Sequence, residues 1–184
     1  MRRSTLRTTA VLAVSLAVLL APGAATAAAD SCVAASASAR QVKPKRLRLA
    51  TLCLLNAARR RHGLRRLRVD PHLRLAARRH ARDMLVRRYF AHFTAGSSPW
   101  KRIRAAGYMR PGQRWLVGEN LAWGTGRAST PGDRTRALLQ SPAHRANMLH
   151  RRFREVGIWV APRVPWQIRY GRGATYVLNF GYVR

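Results

Sequence analysis

The chain has 184 residues, which leaves room for a leader and one folded domain, because single domains commonly contain about 100–150 residues. Its 36 basic residues face six acidic ones, and the formal net charge is +30. This balance excludes an acidic or neutral surface. Nearly all of the charge is arginine, and guanidinium groups bind phosphate and carboxylate in a planar, two-pronged way.

The N-terminus has the three regions of a secretory signal peptide. Arginines at positions 2, 3 and 7 precede an apolar run over residues 10–21, and the small residues Ala25-Thr26-Ala27 follow. The run is shorter than the roughly 20 residues that a membrane-spanning helix needs. We therefore expect cleavage near Ala27 and a secreted, extracellular protein with no transmembrane segment in the mature chain. Export is expected by the general secretory route or, because of Arg2-Arg3, the twin-arginine route.

The two cysteines, Cys32 and Cys53, both fall in the mature chain. An even count in an exported protein favours a disulfide between them, with two separate thiols as the alternative. Residues 28–45 are rich in Ala and Ser and have little periodicity, which predicts a linker pinned by Cys32. The folded domain is then expected over residues 46–184.

Helix-start signals and three- to four-residue apolar spacing recur through the first part of this domain. Asp70, Ser98 and Ser141 each precede a proline, and Asp133 is the expected cap of a further helix. The predicted helices cover residues 46–62, 70–89, 100–106, 133–140 and 141–150.

The end of the chain changes to the two-residue period of strands. Val156, Ile158 and Val160 alternate, and a second alternating run begins at Tyr176, so we expect two antiparallel strands joined by a loop over residues 162–173. The short apolar stretch 115–123 predicts a further extended segment. Helices first and strands last predict an α+β domain in which helices cover a small antiparallel sheet.

The candidate site starts from Glu119, which lies inside the apolar run 117–124. Burying a carboxylate costs several kcal/mol unless a partner pairs with it. We expect His92 and His144 to be those partners and all three residues to line one cleft. His144 follows the predicted helix start at Ser141, where the helix dipole lowers an imidazole pKa and favours the neutral ring.

Each of these residues also has a purely structural interpretation. The two histidines could serve packing alone, and any of the many arginines could neutralise Glu119. His80, on the inner face of a predicted helix, is interpreted as a hydrogen-bonded core histidine, and Asp83 as part of a surface ion pair with neighbouring arginines.

A metal site built from these residues is expected to be weak. Catalytic zinc usually has three protein ligands plus water, whereas the prediction here is His92 and His144 with Glu119 nearby. The sequence has no HExxH, GxSxG or cysteine paired with a base. A Ser–His–Glu arrangement with Ser97, Ser98 or Ser141 is the remaining catalytic alternative.

Six ordered segments resemble the CAP superfamily, the SCP-like extracellular proteins named for cysteine-rich secretory proteins, antigen 5 and pathogenesis-related 1. The resemblance covers about residues 46–184 and is nearest to the short bacterial secreted members. It rests on residues 55–59 (LNAAR), 76–84 (AARRHARDM), 90–92 (FAH), 118–122 (GENLA), 141–149 (SPAHRANML) and 156–158 (VGI). It implies a three-layer α-β-α sandwich with a large central cleft.

The resemblance also implies a set of cleft residues. Family members present two histidines and two acids there, and in some of them the histidines bind a divalent ion such as zinc. His92, Glu119 and His144 match three of the four positions. The fourth has no acid, because Leu138-Leu139-Gln140-Ser141 stands where animal and plant members have a second glutamate, and Leu138 replaces the usual aromatic residue. Glu155 is too far along the chain to be a counterpart.

These observations predict a secreted, non-enzymatic binding protein with a strongly basic surface. Since family members variously bind sterols, lipids or polyanionic glycans, the expected ligand is a small lipid-like or glycan molecule, or a weakly bound divalent cation. One alternative is a metal-assisted hydrolase in which Glu119 acts as general base and His144 is the other candidate catalytic residue.

The other alternative is an electrostatic binder of an anionic polymer, cell surface or membrane. Specific nucleic-acid recognition is not expected, because the sequence has no basic region with heptads, zinc-finger spacing or aromatic RNA-binding signature. The charge could equally be a solvated arginine surface that reflects a G+C-rich coding sequence.

Overall fold

A computed structural model describes residues 32–166 and 173–184. The expected signal peptide over residues 1–27 lies outside the described residues, as do positions 167–172 of the expected loop 162–173. The elements in chain order are α1 (Pro44–Arg61), β1 (Arg68–Val69), α2 (Pro71–Arg87), α3 (Pro99–Ala105), β2 (Trp115–Thr125), a 3-10 helix (Gly126–Ser129), α4 (Pro131–Gln140), α5 (Pro142–Met148), β3 (Glu155–Ala161) and β4 (Gly173–Val183).

Proline in the first turn begins each α-helix, and capping side chains fix three of the starts. Asp70 accepts from the backbone N–H of Leu73 at 2.8 Å, as predicted. The prediction that Asp133 caps α4 is wrong: Thr130 is the cap and accepts from the Asp133 N–H at 3.2 Å. Asp133 lies in the first turn, where its carboxylate accepts from the Thr130 hydroxyl and still favours the positive helix end.

The four strands form one sheet in the order β1-β3-β4-β2. β4 lies between β3 and β2 and pairs antiparallel with both, so the predicted antiparallel pair at the chain end is confirmed. The sheet is mixed rather than wholly antiparallel, because β1 pairs parallel with β3. β1 has only two residues, which is too short to produce a two-residue period in the sequence.

Helices cover both faces of the sheet, which confirms the three-layer sandwich. On one face the core joins Leu55 of α1, Leu138 of α4 and Met148 of α5 to β3 and β4. On the other face α2 and α3 pack against the sheet through two apolar clusters. α2 approaches β3 very closely: a Cβ on Gly157 would stand 2.0 Å from the Leu73 carbonyl carbon. The absence of a side chain at Gly157 therefore permits α2 to pack directly against β3.

A disulfide joins Cys32 to Cys53 of α1, as predicted. Residues 32–43, which the sequence assigned to a linker, lie against the domain. Ala35 O accepts from the Gly132 N–H at 2.8 Å, and Ala39 and Val42 pack against the main core. Within the described ranges, every helix is too short or too polar to cross a membrane.

Candidate functional site

The centre of the candidate site is the carboxylate of Glu119 on β2, whose side chain is 1% exposed. Arg102 of α3 donates from Nη2 to both carboxylate oxygens at 3.0 Å. His92, in the segment between α2 and α3, places Nδ1 2.9 Å from Glu119 Oε1. Arg102 also donates to the His92 carbonyl at 2.9 Å and to Ser97 Oγ at 3.1 Å. The guanidinium therefore fixes both the acid and the loop that carries the histidine.

Two buried residues close the inner side of this network. His80 Nε2 lies 3.8 Å from Glu119 Oε1 and 3.1 Å from the Ala91 carbonyl oxygen, while its Nδ1 has no partner among the described residues. Burial lowers the pKa of His80, although the negative charge of Glu119 opposes the shift. Asn179 contacts the other carboxylate oxygen when its amide is oriented so that both the nitrogen and the oxygen have hydrogen-bond partners. The nitrogen then donates to Glu119 Oε2 at 3.1 Å, and the oxygen accepts from the Ala77 N–H at 3.1 Å.

The next residue, Asn120, connects the same strand to α5. Successive strand side chains point to opposite faces, so Glu119 and Asn120 reach different layers. Asn120 donates to the His144 carbonyl at 2.9 Å and accepts from Asn147 Nδ2 at 2.9 Å. Asn147 also donates to the Glu119 carbonyl at 3.2 Å. β2 lies at one edge of the sheet, so these contacts hold the first turn of α5 beside that edge.

His144 lies on the α5 side of this edge. Its Nδ1 is 2.8 Å from Ser141 Oγ, which explains why Ser141 begins the helix without making a capping bond. Burial lowers the pKa of His144, and the repulsion from a protonated His92 lowers it further. No hydrogen bond or ion pair joins His144 to Glu119 in the part of the chain that the structure describes.

The open side of the site is aromatic. The His92 side chain is 37% exposed, and its ring meets Phe93 edge-on with 6.5 Å between centroids. Phe93 in turn meets Trp100 at 5.9 Å. Phe93 and Trp100 are 60% and 42% exposed, so an apolar surface continues outward from the His92 ring.

Residues 52–170, more than half of the chain, match the sequence model of CAP, the cysteine-rich secretory protein family. The protein belongs to the CAP family. It is 32% identical over 106 residues to YkwD, an uncharacterized protein of Bacillus subtilis, a match that includes 57% of this chain and 38% of YkwD. The CAP chain therefore spans less than two-fifths of that relative's length.

Two solved bacterial structures share the fold. An outer surface protein of Borrelia burgdorferi superposes with a TM-score of 0.63 and 20% identity over 78% of this chain and 97% of its own. An extracellular protein of Bacillus anthracis that contains an SCP domain superposes with a TM-score of 0.56 and 22% identity, over 76% of this chain and 43% of its own. At these identities the likeness supports the fold of the CAP domain alone.

The donor groups of this CAP domain limit what a metal could bind. The described residues contain no group of three or more His, Cys, Asp or Glu side chains placed to hold an ion. Glu119 is engaged by Arg102, and the stretch Leu138–Ser141, which the resemblance matches to the family's second acid, contains no acidic residue. Leu138 is buried, and Ser141 holds His144 Nδ1. The two imidazoles are therefore the only donors of the predicted set that remain open to an ion.

The Ser–His–Glu alternative finds no assembled triad among these residues. Ser141 contacts His144, but the acid contacts a different histidine, His92. Ser98 caps α3, and Ser97 accepts from Arg102.

From the sequence, an arginine partner of Glu119 was an open alternative, but Arg102 was not identified and Asn179 was missed. Arg102 is one of 36 basic residues, and its position 17 residues before Glu119 gives no local sign of the pairing. Asn179 sits in the alternating run of β4 and is opposite Glu119 in the strand register. The sequence did offer one indication of Asn179, because it is a polar residue between the apolar residues of a predicted strand.

Proposed function

We propose that this protein is a secreted, non-enzymatic binding module whose cleft holds a small ligand between His92 and His144. The observation that carries the proposal is the engagement of Glu119: both carboxylate oxygens accept from Arg102, and one is also beside His92. The acid is thereby a positioning group for the histidine, and the imidazoles are the groups that meet a ligand.

The hydrolase alternative needs Glu119 as a general base, and its surroundings oppose that role. A general base must come within hydrogen-bond reach of the proton that it removes. The Glu119 side chain is 1% exposed and its oxygens are already occupied by an arginine.

The hydrogen-bond roles of the two rings follow from their partners. An ionised carboxylate only accepts, so His92 donates to Glu119 from Nδ1, and Nε2 is the ring nitrogen left for a ligand. A carboxylate on one side of an imidazole fixes the ring and raises its strength as a ligand on the other. His144 is kept neutral by burial and by His92. In the described residues neither Nε2 has a protein partner.

Such a pair of rings suits two kinds of ligand. A hydroxyl of a glycan or of a sterol-like molecule could donate to an imidazole, while Phe93 and Trp100 contact its apolar face. Alternatively, His92 and His144 would hold a divalent cation such as zinc, which would supply a positive charge for an anionic ligand group. With two protein donors the affinity would be below that of the usual three- or four-ligand sites.

Secretion is supported by two independent features. The Cys32–Cys53 disulfide is typical of proteins that fold in an oxidising compartment. The structural neighbours include an outer surface protein and an extracellular protein.

Calorimetric titration of zinc tests the two-histidine site. We compare the wild type with the His92→Ala, His144→Ala double variant and with His72→Ala, which removes an imidazole that contacts Ala106 instead. The binding heat is expected to disappear only in the double variant. Equal heats in all three proteins would dismiss the site as a metal site.

A substrate panel tests the non-enzymatic assignment. No turnover of peptides or esters is expected from the wild type. Turnover that is abolished both by a chelator and by Glu119→Gln would overturn the binding-module proposal in favour of a metal-assisted hydrolase.

A further inference from the structure

We propose that the outer face of α2 carries a second binding site, separate from the cleft, for a linear phosphate-bearing polymer. Two adjoining grooves of about 450 and 460 Å³ lie on this face and share Arg78 and Trp159 in their linings. We call the combined feature the arginine groove; its polar and aromatic lining consists of Arg48, Arg74, Arg78, Arg79, Arg82 and Trp159.

The arginines of this groove have no carboxylate partner in the part of the chain that the structure describes. The structure describes five acidic residues, and each is engaged elsewhere: Glu119 with Arg102, Asp83 with Arg87, Asp133 with Arg136, Glu155 with Tyr108 and Asp70 with the Leu73 N–H. Within the described ranges, no ion pair reaches the groove. A cluster of guanidinium groups with no ion-pair partner among the described residues can bind an anion that another molecule supplies.

The spacing of these arginines favours a chain of anions over a single one. Arg74, Arg78 and Arg82 follow one another at four-residue intervals, so they form a row along one side of α2 with steps of about 6 Å. Like charges at this spacing repel and destabilise the helix. Arg48 of α1 adds to the row, and its pKa is lowered by burial and then by the charge of Arg74. A polymer with repeated phosphates would relieve the repulsion along the whole row.

Trp159 of β3 orients two of the guanidinium groups. The Arg48 guanidinium carbon lies 4.7 Å from the centre of the indole ring, and that of Arg78 lies 5.9 Å from it. Stacking on an aromatic face leaves the edge N–H donors of an arginine pointing away from the ring. Side chains held in this way lose less conformational entropy when an anion binds. This arrangement distinguishes the groove from a freely solvated arginine surface.

The test compares two triple variants that remove equal charge. Arg74→Gln, Arg78→Gln, Arg82→Gln changes the groove, and Arg104→Gln, Arg110→Gln, Arg114→Gln changes three exposed arginines whose side chains make no hydrogen bond or ion pair in the described structure. The probes are inorganic polyphosphate and an oligodeoxythymidylate, each titrated over a range of salt concentrations, and vesicles that contain phosphatidylglycerol.

Polyphosphate is expected to bind the groove variant at least about tenfold more weakly than the control variant at physiological salt. The slope of log K against log salt should also become shallower by about 2 units, because each phosphate contact that is lost contributes roughly 0.7 to the slope. If oligodeoxythymidylate also binds the groove variant more weakly than the control variant, phosphate itself is the recognised group. If only oligodeoxythymidylate shows this difference, the polymer is single-stranded nucleic acid. Trp159→Leu, which keeps every charge, should weaken binding severalfold with the salt slope unchanged.

The melting temperature of the groove variant shows whether it is folded. It should equal or exceed that of the wild type, because the substitutions remove like-charge repulsion, and unfolding would then not explain the weaker binding. Equal losses in the two triple variants would overturn the proposal, because binding would then reflect net charge alone. Groove-dependent binding of the vesicles without groove-dependent binding of either polymer would also overturn it and would assign the face to a membrane surface.

Discussion

Arg102 on α3 donates to both oxygens of Glu119 on β2, at 3.0 Å each, and thereby ties the helical layer to the edge of the sheet. The side chains are 12% and 1% exposed, so the arginine charge is largely and the glutamate charge almost wholly shielded from water. A pair in this position stabilises the fold only because its geometry and its additional hydrogen bonds offset desolvation. Removing one partner leaves the other charge buried and uncompensated.

Arg102→Met is therefore expected to lower the free energy of unfolding by about 3–5 kcal/mol, the usual loss when one member of a buried ion pair is removed. Urea unfolding followed by circular dichroism measures this change. The Arg102→Met, Glu119→Gln double variant should recover part of the loss, because no charge is then left unpaired. A single-variant loss below about 1 kcal/mol would be typical of a solvent-exposed pair and would contradict the buried geometry.

The depressed pKa values of His80 and His144 predict that acid weakens the fold. A histidine whose folded pKa lies below its ordinary value of 6.5 is protonated first in the unfolded state as the pH falls. Its contribution to stability is therefore complete above about pH 6.5 and is lost as the pH drops through the folded pKa. Urea midpoints measured between pH 7.5 and pH 5 should decrease.

His80→Gln provides the matched variant, because its amide can still donate to the Ala91 carbonyl but does not titrate in this range. The decrease in the urea midpoint should be smaller in this variant than in the wild type. Identical pH profiles would show that His80 does not contribute to the acid sensitivity.

Gly157→Ala is expected to destabilise the protein by about 3 kcal/mol or more, since overpacking against backbone cannot be relieved by a rotamer change. The added Cβ would stand 2.0 Å from the Leu73 carbonyl carbon, so α2 would have to move off β3. Thermal unfolding measures the effect. Gly63→Ala is a useful comparison, because a Cβ there meets nothing within 4 Å and only the positive φ of 65° opposes it. Equal losses at both positions would contradict the close approach of α2 to the sheet.

The sequence predicted the parts of the fold that repeat locally. The long helices, the antiparallel pair β3–β4 and the Cys32–Cys53 bridge follow from periodicity, caps and cysteine count, and the structure has them within a few residues of the predicted ends. The two-residue strand β1 is too short to have a period. The Thr130 cap was missed because Asp133, three residues later, is an equally strong helix-start residue.

The site was predicted only in part because its contacts are long-range. The motif around Glu119 indicated a buried acid that needs a partner, yet the partner's identity depends on how α3 packs against β2. Arg59 illustrates the same limit: it is wholly buried and donates to carbonyls of Arg65, Met148, His150 and Phe153. No local pattern separates this arginine from the exposed ones beside it.

A shared cleft requires His92 and His144 to lie close together; burial lowers the pKa of His144, and a nearby protonated His92 lowers it further. An NMR titration of the His144 ring in the wild type and in His92→Gln measures it directly, because glutamine can still donate to Glu119 but carries no charge. We predict a higher His144 pKa in this variant and an unchanged pKa in His72→Gln. A His144 pKa that is the same with and without the His92 imidazole would place the two rings apart and would contradict a shared cleft.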